Sequence, residues 1–150
     1  MHALFCHVRF AAEGAKFATS FARRGLPAEY GIVWMLQRMI GQENTLDLML
    51  TGRTFDAAEA LRLGLVSRVV PPADVLTSAQ AYARDIVTNC APHSLAAIIG
   101  QAREAGDSDY DTALARAWEL VDGFIGGPDL LEGLTSFMEK RPPRFRPYPG

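Results

Sequence analysis

Gly52-Arg53-Thr54-Phe55-Asp56-Ala57-Ala58-Glu59-Ala60-Leu61-Arg62-Leu63-Gly64-Leu65-Val66-Ser67-Arg68-Val69-Val70 is the stretch from which the rest of this chain can be read. Gly52 closes whatever helix precedes it. Asp56 and Glu59 stand three apart, a D-x-x-E start signal close to the capping box, and they open a helix over Ala57 to Leu63. Gly64 stops that helix. Leu65 to Val70 is apolar and rich in valine, hence strand-like, and Pro71-Pro72 break it.

Upstream, Val8 to Ala12 reads as a short strand, Glu13-Gly14 as a turn and Ala15 to Ala18 as a second extended piece. A polar loop bounded by glycine and proline follows, Thr19 to Ala28. Glu29 to Ile40 then has Ile32, Val33, Leu36, Met39 and Ile40 at helical spacing, with Gly41 as the stop. Leu46, Met49 and Leu50 mark a further short helix that ends at Gly52. Downstream the chain is helical. Val75, Ala79, Ala83, Ile86 and Cys90 form one stripe, and Pro92 opens a second helix carrying Leu95, Ile98 and Ile99. Tyr110, Leu114, Ala117, Trp118, Val121 and Phe124 form the strongest stripe, read as core. Gly126-Gly127-Pro128 separates it from Leu130, Leu131, Leu134, Phe137 and Met138, and a basic, proline-rich, extended end follows. Six or seven helices thus stand against three short strand candidates, too few strands for a sheet without partners.

Of 150 residues, 49% are hydrophobic and 21% charged, which excludes a disordered tail. Fifteen Lys and Arg against seventeen Asp and Glu leave a net charge of −2, so no overall basic field draws nucleic acid or an anionic membrane. Cys6 and Cys90 have neither metal-ligand spacing nor the density of a disulfide scaffold and read as buried free thiols suited to a reducing cytoplasm. No apolar run reaches the roughly 18 residues of a membrane span, and no secretory signal pattern occurs.

The residues taken alone carry no strong catalytic signature: no phosphate-binding loop, no G-x-G-x-x-G, no H-E-x-x-H, no nucleophile elbow. His2, His7 and His93 are scattered and read as structural or surface groups, and Ser20 has no adjacent base. Trp34 reads as core. Glu29 is the exception, in Gly25-Leu26-Pro27-Ala28-Glu29-Tyr30-Gly31. It reads either as a first-turn acid stabilised by the helix N-terminus or as a carboxylate beside an apolar pocket, where loss of solvent suits it to acid–base work.

The run from Gly52 to Val70 closely resembles the crotonase family, the enoyl-CoA hydratase/isomerases, whose pattern there is T-G-x-x-[FI]-x-A-x-E-A-x-x-x-G-L-V-x-x-V-V. Val8-Arg9-Phe10-Ala11-Ala12, Phe17, Arg38-Met39-Ile40-Gly41 and Phe137-Met138-Glu139-Lys140-Arg141-Pro142-Pro143-Arg144-Phe145 extend the likeness over almost the whole chain. The resemblance implies an α/β fold: the C-terminal part of a crotonase ββα spiral over 1–70, followed by a helical trimerisation or lid region over 71–150, with the chain mostly α. It implies an acyl-CoA thioester as partner, no metal, no cofactor beyond the coenzyme A of the substrate, and a cytoplasmic homo-oligomer, a trimer or dimer of trimers.

It also implies site residues. The family's second glutamate falls at Phe21, whose ring moves no proton, whereas Glu29 falls where other branches place a single catalytic carboxylate. Single-carboxylate, isomerase-like chemistry by Glu29 follows, with Phe21, Gly25, Leu26, Pro27, Ala28 and Trp34 around the substrate and Phe137 and Lys140 near the CoA nucleotide. The CoA-binding loop and the oxyanion donors belong to the family's N-terminal half, which has no match here, so this chain alone is expected to be inactive or nearly so. The alternative is a non-catalytic, truncated paralogue that serves as an assembly module. Large exposed apolar patches are expected on the first 70 residues.

Overall fold

Two compact units, Met1–Gln80 and Ala81–Gly150, make up the computed structural model, which describes residues 2–148. The first unit contains β1 (Phe10–Ala12), β2 (Lys16–Ala18), α1 (Ile32–Ile40), α2 (Gln42–Thr51), β3 (Thr54–Asp56), α3 (Ala57–Arg62) and β4 (Arg68–Val70). It ends within α4 (Val75–Asn89). The second unit contains α5 (Pro92–Glu104), α6 (Tyr110–Phe124) and α7 (Pro128–Glu139).

β1 and β4 run parallel, with Phe10 opposite Arg68 and Ala12 opposite Val70. Parallel partners need a long crossover, which α1, α2 and α3 supply. β2 and β3 are antiparallel, and their central residues Phe17 and Phe55 stack with ring centroids 5.4 Å apart. Beneath these strands Leu36, Leu48, Phe55, Ala57 and Ala60 form the centre of the core, together with Ile32, Ile40, Met49, Leu65 and Val66. Thr45 is fully buried because its hydroxyl donates to the Gly41 carbonyl at 2.7 Å, which satisfies it at the start of its own helix.

The D-x-x-E signal behaves as read: the Asp56 carboxylate accepts the Glu59 N–H at 2.9 Å and caps α3. Three elements differ from the sequence reading. β3 is an additional strand; it forms because β2 lies beside it, a tertiary cause that local residues do not advertise. The strand read over Leu65–Val70 shortens to Arg68–Val70, because the N–H groups of Leu65 and Val66 both turn back to the Ala60 carbonyl and close α3. α1 begins at Ile32 rather than Glu29. Tyr30 and Gly31 both adopt left-handed backbone, φ 55° and 67°, which no right-handed helix accommodates.

The second unit is built differently. α6 has an Asp109 cap on the Thr112 N–H, and α5 and α7 each begin with proline, whose fixed φ suits the first helical turn. Little of it is buried. Ala91, Asp129 and Ser136 are the buried residues among those described, whereas Leu114, Trp118, Val121, Leu131, Leu134 and Phe137 are exposed. Trp118, read as core, is 61% exposed: the α6 stripe is amphipathic, and within its unit Ala117 and Phe124 are half-buried while Leu114, Trp118 and Val121 stay exposed. Large apolar side chains are exposed in both stretches: Phe5, Leu26, Tyr30, Trp34 and Leu50 are among those before residue 70, as expected, and more follow after it. Cys6 also departs from expectation, being exposed, while Cys90 is half-buried; both are free thiols. None of the described helices is long and apolar enough to cross a membrane.

Candidate functional site

Between the strand layer and α1–α2 of the first unit lies an apolar cleft of about 380 Å³. Phe10, Phe17, Phe21, Leu36, Leu48 and Phe55 supply its apolar wall, and Arg9, Lys16 and Thr19 are the polar groups at it. A largely apolar wall with a few polar groups is what a small-molecule site requires. Strand alternation explains part of this wall: Phe17 faces in while its neighbours Lys16 and Ala18 are exposed. Arg9 is held in place by its own bonds, Nε to the Leu65 carbonyl at 2.6 Å and Nη1 to the Cys6 carbonyl at 2.7 Å.

Phe21 is the site residue named from sequence that lines this cleft. Gly25, Leu26, Pro27, Ala28 and Glu29 form the exposed segment that follows it, and none of them is part of the cleft wall. Glu29 sits before α1, not in its first turn, and its carbonyl accepts the Ile32 N–H at 3.1 Å. Its side chain is exposed, so the apolar pocket expected around it is not formed by these residues. Trp34, read as core and as substrate wall, is 53% exposed, and the Arg38 guanidinium lies on its ring 3.6 Å from the centroid. The i, i+4 spacing on α1 produces this cation–π pair. Arg9, Lys16 and Thr19 stand outside the set of site residues that the sequence suggests. Strand alternation gives no signal for them: Arg9 and Thr19 lie outside β1 and β2, and Lys16 alternates with the inward Phe17.

In the second unit Phe137 is 84% exposed and Lys140 is exposed just beyond it. Lys140 takes left-handed backbone, φ 53°, at the end of α7, and this turns the chain back along the helix. The returning segment is pinned by two carboxylates one turn apart on α7. Glu132 receives Arg141 through both oxygens, at 2.6 and 2.9 Å, and the Arg144 N–H at 2.6 Å. The Arg141 guanidinium, followed by the Arg144 amide, holds the Glu132 carboxyl down at about 2. Asp129, 8% exposed, is within 3.1 Å of His93 Nδ1 and 3.3 Å of the Arg146 N–H. In the first unit Arg53 bridges Asp47 and Glu59, and its bonds keep the Glu59 carboxyl below its usual range. No group of three or more His, Cys, Asp and Glu among the described residues could hold a metal.

The enoyl-CoA hydratase/isomerase family model matches residues 1–147. A protein of Mycobacterium bovis named "Probable enoyl-CoA hydratase echA8" is 39% identical over 147 residues, covering 95% of this chain and 55% of that protein. The short-chain-enoyl-CoA hydratase of Clostridium acetobutylicum is 32% identical over 139 residues, covering 93% and 53% respectively. Among solved structures, the enoyl-CoA hydratase of Bacillus anthracis superposes with a TM-score of 0.90 at 32% identity, over 95% of this chain and 55% of that one. The chain thus spans about half the length of the relatives it matches, and its fold is that of the corresponding part of their α/β architecture.

Proposed function

Because this chain belongs to the enoyl-CoA hydratase/isomerase family, we propose that it forms part of an acyl-CoA-processing enzyme whose chemistry uses one carboxylate and is isomerase-like. The observation that carries the reading is Phe21. It stands where the family resemblance places a second proton-moving glutamate, and its ring lines the apolar cleft. Without that acid, addition of water across a double bond lacks one of its two proton-transfer groups. A single carboxylate still suffices to take a proton from C2 of a 3-enoyl thioester and return it at C4, while the double bond moves to C2–C3. Glu29 is the carboxylate assigned to this role, with Phe21, Gly25, Leu26, Pro27, Ala28 and Trp34 on the acyl side and Phe137 and Lys140 on the CoA side. Lysine suits phosphate as a point charge, and a phenylalanine ring suits adenine stacking.

The thioester oxygen becomes an enolate during that transfer and needs preorganised donors; losing one costs about 10²–10³ in rate. Those donors are assigned to the half of the family architecture that these residues do not span, so the chain by itself is inactive or nearly so. Purified chain incubated with a 3-enoyl-CoA and with crotonyl-CoA tests this, and turnover far above buffer would overturn it. Joined to the N-terminal half of a relative, the chain should turn over a 3-enoyl-CoA, and Glu29→Gln should lower the rate at least ~10²-fold. A cytoplasmic homo-oligomer, trimeric or a dimer of trimers, fits the free thiols and the uncovered stripes of α6 and α7.

The exposure of Glu29 favours a second reading, a non-catalytic assembly module of the same ancestry. A joined protein that assembles but whose turnover is unaltered by the Glu29→Gln substitution would favour it over the first.

A further inference from the structure

The last carbonyls of a helix have no partner within it and must find one elsewhere. At the end of α2 two of them are reached by side chains of a single loop, the Leu48 carbonyl in addition to the Gly52 N–H that it accepts at 3.0 Å. The buried Thr19 Oγ1 donates to the Leu48 carbonyl at 2.6 Å, and Arg23 Nε donates to the Thr51 carbonyl at 2.6 Å. The cation also suits the negative end of the helix dipole. Gly52 completes the arrangement. It has φ 54°, and a Cβ there would stand 3.0 Å from Arg23 Cγ and 3.2 Å from Cδ, so glycine leaves the path the arginine stem takes.

Phe21 lies midway between the two anchors. Its ring is in the cleft wall, and its carbonyl accepts the N–H groups of Arg24 at 2.9 Å and Leu26 at 3.0 Å. From Leu26 to Glu29 the chain has no regular structure, and it is tied again where Ile32 N–H meets the Glu29 carbonyl. We propose that Thr19 and Arg23 are positioning residues that clamp this loop to the end of α2, setting the Phe21 ring in the cleft and fixing where the Gly25–Glu29 segment starts. Their relevance to catalysis rests on the assignment of Glu29 as the reactive carboxylate; the clamp itself does not.

Amide hydrogen exchange on the purified chain tests it, with thermal unfolding as the control. Arg23→Leu, at an exposed position, should speed exchange at Arg24 and Leu26 about five- to tenfold, the size of one lost hydrogen bond. The Glu13 amide, bonded to the Val70 carbonyl in the strand layer, should keep its rate. Thr19→Val keeps the shape but not the donor and should act like Arg23→Leu, whereas Thr19→Ser should keep the original rates. Unchanged exchange at Arg24 and Leu26 in Arg23→Leu, or equal acceleration at Glu13, overturns the clamp. So does Thr19→Ser behaving as Thr19→Val. Glu29→Gln should leave these amides untouched, and faster exchange there would show that the carboxylate, not the clamp, holds the segment. Failure of Glu29→Gln to change turnover in the joined protein would instead remove the catalytic assignment, an outcome the exchange rates do not affect.

Discussion

The two units differ in how many of their apolar residues they bury. In the first, leucines at positions 36 and 48 are almost wholly out of water and the strands close over them. In the second, equally regular stripes on α6 and α7 remain exposed, and the visible fastenings are caps and ion pairs. Helical periodicity therefore says which face is apolar but not what covers it. In the homo-oligomer proposed above, these stripes meet another subunit, so stability and assembly should separate along this division.

Leu48→Ala gives the largest effect that would break the comparison. A buried leucine removed from the first unit should lower stability by about 2–5 kcal/mol, read as a fall in denaturation midpoint. Trp118→Ala should do the converse, leaving that midpoint within ordinary surface variation while weakening self-association at least ~tenfold in sedimentation experiments. If Trp118→Ala unfolds the chain as Leu48→Ala does, the contrast fails. Asp56→Ala removes a cap inside the first unit and should cost about 1 kcal/mol, measured by the same denaturation.

The smallest effect sharpens the picture of the second unit. Glu132 has a lowered carboxyl value in the folded chain, about 2 against an ordinary 4.5. Its pairing with Arg141 and Arg144 therefore stabilises the folded tail fully above about pH 4.5 and is lost as the pH falls through about 2. The Arg144 amide resonance should titrate with a midpoint near 2, and Glu132→Gln should abolish that titration.

Much of this architecture is legible from residue order. Asp56 and Glu59 announce α3, and glycines 41, 52 and 64 mark ends that the backbone confirms. What is not legible depends on partners distant in sequence. β3 exists because Phe55 meets Phe17, and Trp118 is exposed although it stands on the most regular apolar stripe. α1 starts three residues later than periodicity places it because Tyr30, a residue that rarely takes left-handed backbone, does so here. At the candidate site, resemblance draws attention to Glu29 and Phe21. The polar groups at the cleft, Arg9, Lys16 and Thr19, emerge only once the strands are paired.

Asp56 has a double position: it is the last residue of β3, opposite Lys16, and its carboxylate starts α3. No linker intervenes between strand and helix, so neither can reorient without disturbing the other. A change that shifts Asp56 is therefore felt at once on both sides of the corner, in the pairing with β2 and in the first turn of α3.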